Sequence, residues 1–282
     1  MSDIDTNKAP PLAGVVGFPI GHSRSPLMHN YWLKRYGIKG YYIPVSLSPA
    51  DFVAGIRSLP KLGFKGVNIT IPHKVSMLGL ADNVTDRAAL IGAVNTIAFK
   101  EDGTIWGDNT DGYGFIQNMR QSAPDWKAGS GPAVVLGAGG AARAVISALL
   151  SEGVSELRLA NRTRQRAQLL ADQFGAKVQV IDWHRASEAI DGAQTIVNTT
   201  SLGMQGQPDL SVSLDLAPKT ATVTDLVYTP LITPFLENAA SLGLAAVDGL
   251  GMLLHQGVPG FELWFDHLPE VDEGLRLAVL DR

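Results

Sequence analysis

The sequence contains no cysteine among its 282 residues. A thiolate nucleophile, a disulfide framework and a cysteine-based metal site are therefore excluded. The net charge is −4 and there is no long basic run, which argues against a nucleic-acid-binding surface. No stretch approaches the ~18 to 20 unbroken apolar residues of a membrane span. Residues 1–13 are polar, with no apolar core behind a basic start. We expect a soluble, cytoplasmic protein that holds no metal and binds neither nucleic acid nor membrane.

The amount of apolar sequence indicates two globular domains. Apolar residues make up 45% of the chain and charged residues 18%, which is typical of folded proteins with real cores. In the first half, the pattern predicts strands at residues 13–18, 41–45 and 65–69. It predicts helices at residues 26–36, at residues 49–59 with Ser48 as the N-cap, and from about Pro72 onward. It also predicts a hairpin of residues 94–99 and 104–106 that turns at residues 101–103. This alternation predicts an α/β domain with a largely parallel sheet.

A segment rich in Pro, Gly, Ser and Ala, residues 122–132, is interpreted as the end of a connecting helix followed by a linker. Strands are then predicted at residues 133–136, 157–160, 178–181, 195–198, 223–226 and 245–247, with helices between most of them. That is the doubly wound pattern of a dinucleotide-binding (Rossmann-type) domain. Residues 251–282 are predicted to be helical and to pack back on the first domain. The predicted domains are residues 1–121 with 250–282, and residues 122–249.

A glycine-rich loop lies between the first strand of the second domain and its helix. It reads Gly137-Ala138-Gly139-Gly140-Ala141-Ala142. Gly137 permits a tight turn, Gly139 lets the backbone approach a pyrophosphate, and the helix N-terminus offers free N–H groups. An ordinary strand-to-helix turn is the alternative, but the strand–loop–helix context favours a cofactor.

The end of the next strand indicates which cofactor binds. An NAD site usually places Asp or Glu there to hold the ribose 2′-hydroxyl. Here the segment is Asn161-Arg162-Thr163-Arg164-Gln165-Arg166, with three arginines and no carboxylate. Such a set suits a 2′-phosphate. A solvated basic helix start is the alternative, but positive charge there opposes the helix dipole. The sequence predicts NADP.

Two further residues indicate chemistry beside the cofactor. Lys74 follows Asn68-Ile69-Thr70-Ile71-Pro72-His73, and Asp111 stands in Asn109-Thr110-Asp111-Gly112. A dehydrogenase acting on a secondary alcohol needs an acid/base group for the hydroxyl proton while hydride leaves carbon. Lys74 alone could be a surface lysine, and Asp111 alone a turn or N-cap carboxylate.

Together these segments resemble the shikimate dehydrogenase family along nearly the whole chain. The motifs that carry the resemblance, in family order, are Gly17-x-Pro19-Ile20-x-His22-Ser23-x-Ser25-Pro26, Asn68-Ile69-Thr70-x-Pro72-x-Lys74, Gly92-Ala93-Val94-Asn95-Thr96, Gly107-x-Asn109-Thr110-Asp111-Gly112, Gly137-Ala138-Gly139-Gly140-Ala141, Asn161-Arg162-Thr163, Asp225-x-x-Tyr228-x-Pro230 and Gly249-x-Gly251-Met252-Leu253-x-x-Gln256. Phe18 and His73 depart from the residues frequent in the family, at positions not expected to touch the chemistry.

The resemblance implies a role for each site residue. It implies an N-terminal domain that binds shikimate and a second domain that binds NADP, with Lys74 as principal acid/base and Asp111 as its partner, the two titrating as one coupled unit. It also implies that Ser23 and Ser25, aided by Tyr228, bind the substrate carboxylate, and that the ring hydroxyls are bound by Asn68, Thr70, Asn95 and Gln256. The residues that it implies for the cofactor are Gly137, Ala138, Gly139, Gly140, Ala141, Asn161, Arg162, Thr163, Arg166, Asn198, Thr199, Gly249 and Met252. Either serine could instead cap the helix at Pro26, and each amide could be a structural polar group.

Several alternatives stay open at this point. His22 could be the general acid, although the family does not use it so. A quinate/shikimate dehydrogenase often uses NAD, which Asn161-Arg162-Thr163 disfavours. A folate-type methylene dehydrogenase would not need the paired serines, and a non-catalytic NADP- or quinate-sensing paralogue would not need Lys74 with Asp111. The favoured activity is the reversible NADPH-dependent reduction of 3-dehydroshikimate to shikimate, by a monomer or homodimer.

Overall fold

The computed structural model describes residues 9–280. The polar segment at residues 1–8 and the last two residues, on which part of the sequence predictions falls, lie outside the described residues. The chain divides into two compact units. The first comprises the chain up to Thr110 together with the chain from Gln256 onward, and the second comprises residues 111–255.

The elements of the first unit follow the predicted alternation closely. They are β1 (Leu12–Gly17), α1 (Ser25–Arg35), β2 (Tyr41–Ser46), α2 (Phe52–Ser58), β3 (Phe64–Ile69), α3 (Lys74–Leu78), β4 (Asn83–Val84), α4 (Asp86–Ile91), β5 (Thr96–Phe99) and β6 (Ile105–Asp108). Thr85 caps α4, since its side chain accepts from the backbone N–H of Ala88.

Helix α2 begins later than predicted. Residues 49–51 form a turn instead, because the hydroxyl of Ser48 donates to the Asp51 carboxylate at 2.6 Å and accepts from the Asp51 backbone N–H at 3.3 Å. Asp51, not Ser48, stands at the N-cap position. The prediction for this helix start and its cap was wrong, because a local Ser–Asp turn competes with the helix.

The sheet of the first unit has the order β2-β1-β3-β5-β6-β4. Strand β1 pairs in parallel with β2 and β3, and β4 pairs in parallel with β6. The predicted hairpin is confirmed, since β5 and β6 pair antiparallel. Strand β5 also runs antiparallel to β3. The sheet is therefore mixed rather than largely parallel, because a tight hairpin can only join antiparallel strands.

The elements of the second unit match the predicted strands to within about a residue. They are α5 (Asp111–Ser122), β7 (Ala133–Leu136), α6 (Gly140–Ser151), β8 (Leu157–Asn161), α7 (Arg164–Phe174), β9 (Val178–Asp182), β10 (Thr195–Asn198), β11 (Thr222–Asp225), α8 (Pro234–Ser241), β12 (Ala245–Val247) and the start of α9 (Leu250–Phe265). All strands are parallel, in the order β12-β11-β10-β7-β8-β9. The order reverses between β7 and β10, which is where a doubly wound sheet binds its ligand.

The unit boundary differs from the predicted one because α5 belongs to the second unit. Its Phe115 and Met119 are fully buried in one cluster with Val145 and Leu149 of α6. Gly112 lies so close to α6 that a Cβ there would stand 3.0 Å from the Ala144 carbonyl oxygen. The first boundary between the units therefore falls before α5, not after it. The second boundary falls inside α9.

From Gln256 onward the C-terminal part of the chain belongs to the first unit. The Trp264 indole donates to the Ile97 carbonyl at 3.0 Å, and α10 (Glu273–Leu280) packs on α1. No helix within residues 9–280 is both long and apolar enough to cross a membrane.

Candidate active site

The glycine loop of the second unit has the backbone that a dinucleotide requires. Gly137 has φ +109°, and a Cβ there would stand 2.7 Å from Thr199 Oγ1, so only glycine fits without strain. Gly139 and Gly140 are exposed, with nothing within 4 Å of where a Cβ would stand. No side chain caps the N-terminus of α6. The loop therefore offers open space and free N–H groups to a pyrophosphate.

The arginine segment at the end of β8 divides into two kinds of residue. Arg164 forms an ion pair with Asp182, 2.6 Å from Nη1 to Oδ1. Arg162 and Arg166 are exposed, and neither has a carboxylate partner within residues 9–280. Of the three arginines that the sequence offered for a 2′-phosphate, Arg162 and Arg166 therefore stay available for an anion. This donor set fits NADP.

Asn198 ends β10 and Thr199 follows it, beside the glycine loop. Thr199 is half-buried, and its hydroxyl donates to the Leu136 carbonyl at 2.8 Å. Asn198 is fully buried. Its Nδ2 donates to the Leu202 carbonyl and the Asp225 carboxylate, and its Oδ1 accepts from Thr200. Both side chains therefore hold in place the backbone around the end of β10.

Gly249 and Met252 lie where α9 begins. A Cβ on Gly249 would stand 2.5 Å from the carbonyl group of Leu226, so the two backbones touch. Met252 is half-buried and packs against the main core cluster of the second unit. Tyr228, in the loop after β11, is also half-buried.

A continuous polar network lies in the first unit. The Asn68 side chain, on β3, donates to the Asn95 carbonyl at 3.2 Å and to Thr96 Oγ1 at 3.1 Å. Asn95 Oδ1 accepts from the Thr110 N–H at 2.8 Å, and Thr110 Oγ1 donates to the Gln256 carbonyl at 2.8 Å. Asn95 Nδ2 lies 3.4 Å from Gln256 Oε1. The structure thus joins Asn68, Asn95 and Gln256, three of the four residues implied for ring hydroxyls.

Thr70 stands just beyond β3, ahead of α3. It is half-buried, its N–H donates to the Val16 carbonyl at 2.9 Å, and its own carbonyl accepts from the His73 N–H at 2.9 Å. Its backbone is therefore pinned at the end of the sheet.

The two serines lie at the start of α1. Ser25 is 7% exposed and begins the helix, whereas Arg24 holds the N-cap position without a side-chain cap. Ser23 is half-buried, and its hydroxyl accepts from the Ser25 N–H at 3.3 Å. Ser25 is not the cap of α1, and Ser23 makes one long backbone contact there. His22 is exposed.

Lys74 is half-buried at the first position of α3. Its carbonyl accepts from the Val94 N–H at 2.9 Å, which ties the start of α3 to the segment before β5. The preceding His73 is buried, stacks on Phe52 with ring centroids 4.2 Å apart, and contacts the Leu47 carbonyl at 2.8 Å. His73, which differs from the residue frequent in the family, is therefore a packing residue that supports the start of α3.

Asp111 is half-buried at the first position of α5, in the second unit. The segment before it is anchored through the buried Asp108. The Asp108 carboxylate accepts from both Arg87 and Thr85, with 2.7 Å to Arg87 Nε and 2.6 Å to Thr85 Oγ1. Burial alone would raise the pKa of Asp108, but Arg87 and Thr85 hold it below its ordinary value.

Several residues around the network were not predicted from the sequence. They are Arg87 and Thr85, which bind Asp108, and Tyr42 and His29, which lie beside Asn68. His29 and Tyr42 stack with ring centroids 4.0 Å apart, and the Tyr42 hydroxyl donates to Asn68 Oδ1 at 2.7 Å. The one available signal was the position of Tyr42 on an inward face of a short strand, which also describes an ordinary core aromatic. Within residues 9–280 no group of three or more His, Asp or Glu side chains is placed to hold a metal ion.

The fold and the site define a class: an oxidoreductase with a Rossmann-type NADP unit and a separate α/β unit that carries a half-buried lysine and a buried amide network. Family models match three parts of the chain. They are the shikimate dehydrogenase substrate binding domain at residues 15–97, shikimate / quinate 5-dehydrogenase at residues 121–205 and the shikimate 5′-dehydrogenase C-terminal domain at residues 249–277.

Relatives match over nearly their full length. The chain is 58% identical over 277 residues to a shikimate dehydrogenase (NADP(+)) of Paracoccus denitrificans, covering 98% of each chain. It is 61% identical over 270 residues to one of Cereibacter sphaeroides, covering 96% of this chain and 97% of the relative. The chain belongs to the shikimate dehydrogenase family, which confirms the resemblance drawn from the motifs.

Solved structures agree with both units. The shikimate 5-dehydrogenase of Thermus thermophilus, in complex with NADP(H) and shikimate, is 36% identical with a TM-score of 0.84, covering 96% of this chain and 98% of that one. The quinate dehydrogenase of Corynebacterium glutamicum, in complex with NAD, is 34% identical with a TM-score of 0.89, covering 97% and 99%. The predicted two-domain α/β fold class is confirmed.

Proposed function

We propose that this protein catalyses the reversible NADPH-dependent reduction of 3-dehydroshikimate to shikimate in aromatic amino-acid (chorismate) biosynthesis. The observation that carries the proposal is the joint presence of two arginines available for a 2′-phosphate and a buried amide network suited to a polyol, in a chain related over its length to shikimate dehydrogenases (NADP(+)). A site built from many directed polar groups rejects analogues that lack a hydroxyl.

NADPH, when bound, supplies the hydride that the carbonyl carbon of 3-dehydroshikimate accepts. The carbonyl oxygen becomes a hydroxyl, so it must receive one proton. We assign that proton to Lys74 as the principal donor, with Asp111 as its partner in catalysis. In the oxidation direction Lys74 takes the hydroxyl proton. The half-buried position of Lys74 at the start of α3 supports this role.

The remaining residues bind and orient. Ser23 and Ser25 would donate to the substrate carboxylate, aided by Tyr228, and the positive end of the α1 dipole favours that anion. Asn68, Thr70, Asn95 and Gln256 would contact the ring hydroxyls. Asn95 Oδ1 accepts from Thr110, so Nδ2, which also lies 3.4 Å from Gln256 Oε1, is the donor that this side chain would offer.

The cofactor residues have equally distinct roles. Gly137, Ala138, Gly139, Gly140 and Ala141 would place the pyrophosphate on α6. The ribose phosphate would contact Asn161, Arg162, Thr163 and Arg166, and the nicotinamide pocket would include Asn198, Thr199, Gly249 and Met252. Asn198 would shape that pocket through the loop it holds, since its own side chain is fully buried.

A second candidate is a dehydrogenase that prefers quinate and NAD. The similarity to the NAD complex of a quinate dehydrogenase favours it. The absence of a carboxylate in Asn161-Arg162-Thr163 opposes it. The deciding experiment is to measure initial rates with shikimate and quinate, each with NADP and NAD. We expect kcat/KM to be highest for shikimate with NADP, and highest activity on quinate with NAD would reject the proposal.

We also propose that the protein works in the cytoplasm as a monomer or homodimer. The biosynthetic role of its relatives supports the location. Cell fractionation tests the first statement. Sedimentation velocity tests the second, and a tetramer would contradict it.

A further inference from the structure

Tyr42 occupies a buried position directly beside the amide network. It lies on β2, is 1% exposed, and stacks on His29 with an interplanar angle of 4°. Trp264 contacts it at a centroid distance of 6.0 Å, and Trp32 packs edge-on against His29. The ring therefore has little freedom to move, and its hydroxyl is directed by packing.

The Tyr42 hydroxyl is a buried partner of Asn68. It donates to Asn68 Oδ1 at 2.7 Å. Burial raises the pKa of Tyr42 well above its ordinary value, so the hydroxyl keeps its proton and stays a donor at physiological pH. The Tyr42 hydroxyl is therefore a fixed donor to Asn68.

The orientation of the Asn68 amide follows from its partners. Both hydrogens of Nδ2 are used, one on the Asn95 carbonyl and one on Thr96 Oγ1. The Asn95 carbonyl can only accept, so a flipped amide would place two acceptors against each other. Oδ1 then has one lone pair on Tyr42 and one left. Toward a ligand, Asn68 is an acceptor and not a donor.

We propose that Tyr42 is a positioning residue for substrate binding, which holds Asn68 Oδ1 as a fixed acceptor for a ring hydroxyl. The proposal rests on the substrate role proposed above for Asn68. The hydrogen bond from Tyr42 uses one lone pair of Asn68 Oδ1, which leaves the other for the ring hydroxyl.

The first test is Tyr42→Phe, which keeps the stacking on His29 and removes only the hydroxyl. We expect the KM for shikimate to rise about tenfold, the effect of losing one buried hydrogen bond. We expect kcat and the KM for NADP to change less than about twofold. Tyr36→Phe is the matched control, since the Tyr36 hydroxyl accepts from the Glu270 N–H at 2.9 Å, outside the network. It should leave all three constants unchanged.

A double-mutant cycle with Asn68→Ala separates this proposal from the one on which it rests. If Tyr42 acts through Asn68, the double variant should raise the KM for shikimate no more than Asn68→Ala alone. A raised KM in Asn68→Ala with an unchanged KM in Tyr42→Phe would overturn the positioning role and leave the site assignment standing. An unchanged KM in Asn68→Ala would reject both.

Substrate analogues test the acceptor role on the unaltered enzyme, where folding of a variant is not at issue. Fluorine in place of a hydroxyl cannot donate a hydrogen bond. At the ring position facing Asn68, a fluoro analogue should therefore inhibit as weakly as the deoxy analogue. If fluorine binds better than hydrogen at every ring position, Asn68 does not act as a fixed acceptor.

Discussion

The side-chain oxygen of Asn161 accepts a hydrogen bond from the backbone N–H of Ala138 at 3.1 Å. The same amide donates to the Thr163 carbonyl at 2.8 Å. One side chain at the end of β8 thus holds both the glycine loop and the arginine segment that follows. The two parts of the cofactor site are therefore set relative to each other by Asn161.

We expect Asn161→Asp to weaken the preference for NADP. The carboxylate still accepts from Ala138, but it loses the donor to Thr163 and places a negative charge where a 2′-phosphate is expected. The ratio of kcat/KM for NADP to that for NAD should fall by about tenfold or more. Initial rates with both cofactors measure it, and an unchanged ratio would show that position 161 does not face the ribose.

Arg162→Ala should raise the KM for NADP by about ten- to a hundredfold, since charge-assisted hydrogen bonds to a phosphate are lost. The KM for shikimate should stay the same. Arg164→Ala is the matched control, because Arg164 is engaged by Asp182. A larger effect on shikimate than on NADP would reject the phosphate role, and so would equal effects of the two substitutions.

Lys74→Ala should lower kcat by about 10²- to 10⁴-fold, the usual contribution of a general acid/base. Binding of NADP, measured by fluorescence titration, should be retained. Lys65→Ala removes an exposed lysine from β3 of the same unit and should leave turnover intact. Full turnover in Lys74→Ala would remove Lys74 from the chemistry.

Arg87→Met should destabilise the fold by about 1–3 kcal/mol near neutral pH, because it leaves the buried Asp108 carboxylate without its ion pair. The lower part of that range is expected, since the Arg87 side chain is 47% exposed. The pKa of Asp108 is lowered from its ordinary value of 3.8, so the ion pair stabilises the fold fully above pH 3.8. Its contribution is lost as the pH falls further. Urea unfolding at several pH values should show the two proteins converging in acid. A constant difference would contradict the assignment.

His29 should give the protein an acid-sensitive stability. Burial lowers the pKa of His29 to about 3 from 6.5, and the nearby Asn68 side chain opposes this only in part. Between these values the unfolded chain binds a proton that the folded protein does not, so the free energy of unfolding falls as the pH drops from 6.5 toward 3. The slope contributed is at most about 1.4 kcal/mol per pH unit.

His29→Phe should flatten this slope, and His184→Phe, at an exposed position, should not. Urea unfolding followed by tryptophan fluorescence provides the measurement, with Trp32 next to His29 as a local reporter. Comparing slopes removes any constant cost of fitting the larger ring. Equal slopes in wild type and His29→Phe would show that His29 is not held neutral in the fold.

Much of the fold and site followed from local patterns. The loop at Gly137 and Gly139, the strands of the second unit and the basic segment at Arg162 are short-range signals, because turn chemistry and strand periodicity act between neighbouring residues. Lys74 and Asp111 were predicted as site residues from the motifs around them. The start of α2 was misjudged, because a side-chain turn at Ser48 and Asp51 competes with the helix over the same few residues.

By itself, the sequence determined the class of the protein, the family, the cofactor and the residue types of the site, since each of these is encoded in contiguous motifs. Only the tertiary structure decided which arginines remain available, because Asp182, eighteen residues beyond Arg164, engages that one arginine. It also decided which end of the Asn68 amide faces outward, through Tyr42 and Asn95. Ion pairs and amide orientations depend on partners distant in the chain, and a linear pattern does not record which of many candidates comes within about 3 Å.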